Sequence, residues 1–257
     1  MSYFYLFINS LKGITHELYF SYTARYKSTR FPGKPLVMIN GKTMIQRVYE
    51  QCLQSIPNEK IYVATEDKRI LEYCNENGIQ CVITSDKCLT GTDRVGEVAK
   101  LIDADFYINV QGDEPIFNPK DIDLLINQLY RKTKTVYDVY CGFTKIVEAE
   151  RFFSKDVPKT VVNMKNELLY ISRSAIPGNK KGNFNHGYRQ VCAYAFSKKS
   201  LQLFCSRKEK TYLEKEEDIE LLRFLELGIK VKMIKMSQDS IPIDRKIDLK
   251  RVLNKLK

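Results

Sequence analysis

The sequence predicts an α/β fold built on a mainly parallel sheet. Short runs rich in β-branched and aromatic residues alternate with amphipathic stretches at helical spacing, the pattern of strand–helix–strand units joined by crossovers. The loops after three of the predicted strands combine charged residues with Gly or Pro. In such sheets ligands are held outside the carboxyl ends of the strands. With 257 residues, 44% of them hydrophobic, the chain can build one sizeable core.

The elements follow in order. Residues 1–17 form an apolar leader with neither a basic start nor a small-residue cleavage site, so no signal peptide is read there. They fit an extra strand, an ordered arm or a segment without a role, and the domain is taken as 18–257. Leu18–Tyr22 is the first strand. The loop after it carries Arg25, Arg30 and Lys34, punctuated by Pro32, Gly33 and Pro35. Asn40-Gly41 is a turn. Residues 43–54 repeat Met44, Ile45, Val48 and Cys52 at helical spacing. Lys60–Ala64 is a strand, and Asp67 caps a helix that Gly78 closes. Residues 80–84 form a strand and 93–102 a helix. Phe106–Val110 is a strand running into Gln111-Gly-Asp-Glu-Pro115, and Pro119 opens a helix. Residues 139–197 are β-rich and read as a flap that touches substrate or a second subunit. A polar loop spans 178–187. Residues 216–227 read as one helix, 230–236 as a strand and 247–256 as a closing helix.

Composition narrows the partners. The net charge of +11 suits anionic ligands, but the basic residues form no tract and no nucleic-acid-binding motif, so nucleic acid is not expected. No stretch approaches the ~20 apolar residues of a membrane span. The seven cysteines show no C-x-x-C pair, which points to free thiols in a reducing cytoplasm. Two histidines and no H-E-x-x-H argue against zinc.

Three strand-end segments carry chemistry. The loop with Arg25, Arg30 and Lys34 has the make-up of a polyphosphate cradle, although it is neither a Walker loop nor G-x-G-x-x-G. Asp113, delivered by a strand end, is the first choice to ligate Mg²⁺, which takes oxygen ligands and binds through one or two carboxylates plus phosphates. Asp244 is the best-placed second carboxylate, and it can equally be a turn aspartate. Thr90-Gly-Thr-Asp-Arg94 can hold a base edge or phosphate, or be a helix start capped by Asp93. Arg173, at a strand end, can clamp a carboxylate or make an exposed ion pair. No nucleophile–base pair is visible. Cations with acids at several strand ends suit transfer at phosphorus by positioning and charge neutralisation.

Together, Ala24-Arg-Tyr-x-Ser-x-Arg-x-Pro-Gly-Lys-Pro-Leu36, Asn40-Gly-Lys-x-Met-Ile45, Val63-Ala-Thr65, Gly91-Thr-Asp-Arg94, Asn109-Val-Gln-Gly-Asp-Glu-Pro115 and Tyr170-x-Ser-Arg-Ser-x-Ile-Pro177 resemble the 3-deoxy-manno-octulosonate (Kdo) cytidylyltransferase family. The resemblance covers about Leu18 to Lys257. It implies a Rossmann-like nucleotide-diphospho-sugar transferase fold, glycosyltransferase-A-like, with three layers. It also implies a cytoplasmic homodimer that joins CTP and Kdo with Mg²⁺, releases pyrophosphate and serves lipopolysaccharide or capsule synthesis. Carried over by motif, Ala24, Arg25, Arg30, Lys34, Thr92, Arg94 and Asp113 would bind nucleotide, with Lys34, Asp113 and Arg25 at the chemistry. Gln111, Arg173 and Gln190 would face the sugar acid, and Asp113 with Asp244 would hold the metal. Three departures stand out: Thr23 replaces a proline before Ala24, the segment after Asp244 lacks a Thr-Pro-Glu, and Gln190-Val-Cys192 replaces a His-Ile-Gly-like run. A different sugar acid, such as an 8-amino-Kdo or sialic-acid-like one, and a non-catalytic nucleotide-binding relative are the alternatives.

Overall fold

The structure, a computed structural model, describes residues 17–26, 31–131, 136–238 and 240–256. Residues 1–16 of the leader and Arg30 lie outside the described residues. In chain order the strands are β1 (Leu18–Thr23), β2 (Met38–Ile39), β3 (Lys42–Thr43), β4 (Ile61–Thr65), β5 (Cys81–Ile83), β6 (Phe106–Gln111), β7 (Val139–Lys145), β8 (Lys159–Val162), β9 (Leu168–Ser172), β10 (Tyr188–Ser197) and β11 (Val231–Lys235). The helices are α1 (Met44–Cys52), α2 (Lys68–Glu76), α3 (Gly91–Leu101), α4 (Pro119–Leu129), α5 (Ala149–Phe153), α6 (Lys198–Cys205), α7 (Tyr212–Glu217), α8 (Leu221–Glu226) and α9 (Asp248–Lys255).

Among the described residues the main sheet has the order β11-β7-β10-β6-β1-β4-β5, and β10 alone runs against the other six. Both faces are covered. Phe20 and Tyr22 of β1 and Ile108 and Val110 of β6 pack under α1, α2 and α4. Tyr107, Cys141 and Phe196 face the other way, against α3, α6 and α8. A strand buried on both faces must be apolar throughout, which is why Phe106–Val110 reads as a near-continuous apolar run. No described helix is long and apolar enough to cross a membrane.

The topology decides where the site lies. β1 pairs in parallel with β4 on one side and β6 on the other, so the chain leaves β1 in one direction and later returns on its other flank. That reversal opens a crevice at the carboxyl ends of β1 and β6. Gly112 lies where the two ends come closest: a Cβ there would run into the Thr23 carbonyl.

Several expectations are corrected. Of the β-rich stretch 139–197, β7 and β10 belong to the main sheet, and only β8 and β9 form an outlying hairpin attached to β10. The helix read over 216–227 is two helices. Asp218 adopts a left-handed conformation (φ 50°), which Asp tolerates better than most residues, and breaks the run. The cap of α3 is Thr90, whose hydroxyl accepts from Asp93 N–H, and not Asp93. Asp93 is instead held by Arg223 at 2.8 Å.

Gly112→Ala is expected to push the β1 and β6 ends apart and cost ~1–3 kcal/mol. Thermal denaturation would show a Tm lower by about 2–4 °C per kcal/mol for a chain of this size. An unchanged Tm would show that the approach to Thr23 relaxes freely.

Candidate active site

Three side chains from distant parts of the chain meet at the crevice. Lys34 Nζ lies 2.6 Å from Asp113 Oδ2 and 3.7 Å from Asp244 Oδ1, and it donates to the Ile243 carbonyl at 2.9 Å. Each arrives for a local reason. Gly33 adopts φ +71°, a conformation open to glycine, and starts the short turn Lys34–Leu36 with Pro35 buried beneath it. Tyr26 lies against Gly33 and is itself covered by the Arg69 guanidinium, 3.3 Å from its ring centre. Asp113 follows directly from β6. Asp244 comes from the far edge strand β11 through a return segment. Ser237 donates to Asp121 (3.0 Å from N–H, 2.7 Å from Oγ), Ser240 donates to Glu114, and Ile243 N–H donates to the Asp113 carbonyl at 2.9 Å. Phe31, Ile39, Met44, Ile243 and Val252 then form a small core that fixes the segment and α9.

Beside this cluster opens a cavity of about 600 Å³. Gln111, Asp113, Glu114 and Asp244 line it together with Arg151, Arg173, Arg189, Gln190 and Tyr194, and with the acids Asp156, Asp218 and Glu220. Burial pushes the Glu114 carboxyl up to about 7, with Asp113 adding to the shift and Ser240 and Arg189 opposing it. Arg189 is buried, and among the described residues its guanidinium donates to the carbonyls of Gln190 (3.2 Å) and Gln238 (3.5 Å). Burial lowers its pKa. β10 carries a register shift between Val191 and Tyr194, and Gln190, Cys192 and Tyr194, spaced by two, line the cavity. A second, smaller cavity of about 310 Å³ is lined by Arg25, Thr90, Lys210 and the α7–α8 turn.

The structure brings some expected residues together and spends others elsewhere. Lys34, Asp113 and Asp244 converge. Gln111, Gln190 and Arg173 line the larger cavity, and Arg25 lines the smaller one. Ala24 is buried and continues the ladder, its N–H donating to the Ala64 carbonyl at 3.0 Å. Thr92 is not free to meet nucleotide: its N–H (2.8 Å) and hydroxyl both donate to Glu220, which also takes the Gly91 N–H at 3.1 Å. Arg94 is 1% exposed, paired with Glu66 at 2.9 Å and hydrogen-bonded to Thr84, so it braces the ends of β4 and β5 from within. Arg173 turns its guanidinium onto carbonyls of Glu217 (2.6 Å), Lys155 (3.1 Å) and Asp218 (3.1 Å). The described residues hold no cluster of three metal-ligating acids, thiols or imidazoles, so two carboxylates are what the chain offers.

Sequence reading missed Arg189, Arg151 and Glu220. Arg189 follows the polar 178–187 loop and looked like part of it; a bulged strand start is invisible to period-two patterning. Glu220 disappeared inside the helix read over 216–227.

An α/β chain with cations and paired carboxylates at a sheet switch point is a nucleotidyltransferase by class. A family model for cytidylyltransferases matches residues 23–235. The chain is 36% identical over 236 residues to the 3-deoxy-manno-octulosonate cytidylyltransferase of Protochlamydia amoebophila, covering 89% of this chain and 90% of that protein. It is 40% identical over 233 residues to the enzyme of the same name from Desulfatibacillum aliphaticivorans, covering 89% and 94%. A solved CMP:2-keto-3-deoxy-manno-octonic acid synthetase in complex with CTP superposes with a TM-score of 0.85 at 32% identity, covering 93% of this chain and 98% of that one. The chain belongs to the 3-deoxy-manno-octulosonate cytidylyltransferase family.

The buried pairing makes Arg94 a brace. Arg94→Met leaves Glu66 unpaired and is expected to cost ~3–5 kcal/mol of stability. The KM for CTP of the folded enzyme should stay within about twofold. A large rise in that KM at unchanged Tm would restore a nucleotide-binding role.

Proposed function

We propose that the chain transfers the cytidylyl group of CTP to Kdo, yielding CMP-Kdo and pyrophosphate. The observation that carries this is the Lys34 ammonium set between Asp113 and Asp244, two carboxylates that line a cavity also lined by Arg151, Arg173 and Arg189. In the reaction the anomeric hydroxyl oxygen of the acid bonds to the α-phosphorus. The bond from that phosphorus to the oxygen bridging to the β-phosphate breaks in line, pyrophosphate leaves, and the hydroxyl proton passes to solvent.

The residues divide the work. Lys34 offsets charge on the triphosphate, and Arg25, across the α7–α8 turn, adds a second cation. Arg189 and Arg151 draw the sugar carboxylate into the larger cavity, where a desolvated guanidinium binds a carboxylate more strongly than in water. Gln111 and Gln190 orient the sugar; the Gln190 amide is already fixed by donating to Tyr194 Oη at 3.0 Å. Arg173 holds the wall and does not clamp the carboxylate. Mg²⁺ fits the donor set. The donors that Asp113 and Asp244 offer are carboxylate oxygens, the ligand type a hard divalent cation takes beside phosphates. Asp113 and Asp244 would hold it, and when bound it supplies positive charge to the phosphates. A homodimer belongs to this reading, supported by the exposed Met164 and Leu169 on the β8–β9 hairpin. Sedimentation at micromolar concentration checks it.

Purified chain with CTP, Mg²⁺ and a panel of sugar acids is expected to release pyrophosphate with Kdo. Release with a sialic-acid-like sugar alone would move the substrate assignment, and no release with any acid would remove the enzyme reading. Asp113→Ala and Asp244→Ala should each lower kcat/KM by ~10²-fold or more, as loss of charge stabilisation does elsewhere. Arg189→Met should raise the KM for the acid by ~10-fold or more, the scale of one charge-assisted hydrogen bond. It should leave the KM for CTP unchanged.

A further inference from the structure

We infer that Lys159 is a positioning residue for the sugar acid: its ammonium, buried behind the larger cavity, ties together the two loops that make one cavity wall. The inference rests on the function proposed above.

Lys159 opens β8 and is 0% exposed. A fully buried ammonium is costly unless its partners repay the lost hydration. Among the described residues no carboxylate pairs with it. Its acceptors are backbone carbonyls: Ser154, at 2.8 Å, and Arg173. Burial pushes the ammonium down to about 8, with the Arg173 guanidinium adding to the shift and Glu217 opposing it. Filling the space would need only an apolar side chain. What the ammonium alone supplies is two charge-assisted donors aimed at two different segments.

Those segments are the wall. Ser154 ends α5 and begins the run in which Asp156, Val157 and Pro158 line the cavity. Arg173 ends β9, and its guanidinium carries the clasp onward to the carbonyls of Lys155 and of the α7–α8 turn. Glu217 closes the same turn onto β9, accepting from Ser172 Oγ (2.5 Å) and Arg173 N–H (2.8 Å). Across the β8–β10 ladder, Lys159 stands in register with Arg189, which the proposed function places on the acid. Lys159 therefore sets the distance between the loop wall and the strand wall without touching substrate. Among the described residues Lys34 meets Asp113, Ile243 and Asp244, none of which takes part in this clasp.

Steady-state kinetics on the full chain tests it. In Lys159→Met the KM for Kdo is expected to rise by roughly tenfold or more, the scale of one charge-assisted hydrogen bond. The KM for CTP and the Tm should stay close to wild type. Lys159→Gln keeps a neutral donor toward the carbonyls and should give an intermediate rise. A KM for Kdo unchanged in both folded variants overturns the inference, as does a parallel rise in both KM values. If neither variant folds, Lys159 serves stability alone and the inference fails. A wild-type chain that turns over no acid overturns the function and this inference together. A wild-type chain that does, beside variants with unchanged KM, overturns this inference only.

Discussion

The ion cluster of Lys34 with Asp113 and Asp244 is the constraint on which the site depends. Its contacts join residues 79 and 209 positions apart in the chain. Nothing local brings them together; the sheet order does. β1 and β6 are neighbours, so the loops leaving them share one crevice. The segment after β11 then has to cross from the sheet edge to that crevice. It is tied down on the way by Asp121, Glu114 and the Asp113 carbonyl. Each tie satisfies a polar group that would otherwise be orphaned in a packed interface. The cluster sets two carboxylates beside one ammonium at the end of β6.

The acid side of the cavity follows a different logic. Its charged groups are mostly spent on backbone. Arg173 and Lys159 donate to carbonyls at loop ends, and Glu217 accepts from the end of β9. Such bonds hold short irregular segments in one geometry, as regular ladders hold strands, and they suit a wall built from loops. Arg189 is a buried guanidinium in the same lining, and among the described residues it too donates to carbonyls, those of Gln190 and Gln238. Its burial raises the worth of any anion that reaches it.

Most of the fold was legible in the sequence. The main-sheet strands and the helices between Leu18 and Leu129 are legible from periodicity, with Asp67 as a cap, whereas the short pair β2–β3 shows only as its Asn40-Gly41 turn and the caps Thr43 and Asn118 emerge from the structure. The second half was less legible for physical reasons. β7 and β10 look like flap strands because period two does not reveal which sheet a strand joins. The break at Asp218 leaves the apolar period of α7 and α8 unbroken, so only a backbone dihedral records it. The motif residues were legible by type but not by duty. Arg94 and Thr92 stand in a strongly patterned segment, and their donors are consumed by Glu66, Thr84 and Glu220. The pattern marked a place in the fold, and the geometry makes these residues its support.

The break at Asp218 also links the two cavities. Asp218, Ile219 and Glu220 line both of them. Glu220 seats its carboxylate on the N-terminus of α3, where the exposed N–H groups and the helix dipole favour an anion. The other end of the turn is held by Arg173 through the Glu217 and Asp218 carbonyls. The turn is therefore held at both ends, by Arg173 on one side and by the α3 N-terminus on the other. A continuous helix over 216–227 would carry its hydrogen bonds within itself and leave no carbonyls at 217 and 218 for Arg173 to hold. The left-handed residue therefore lets Arg173 hold the wall of the larger cavity to the turn, while Glu220 seats the other end of the turn separately on α3.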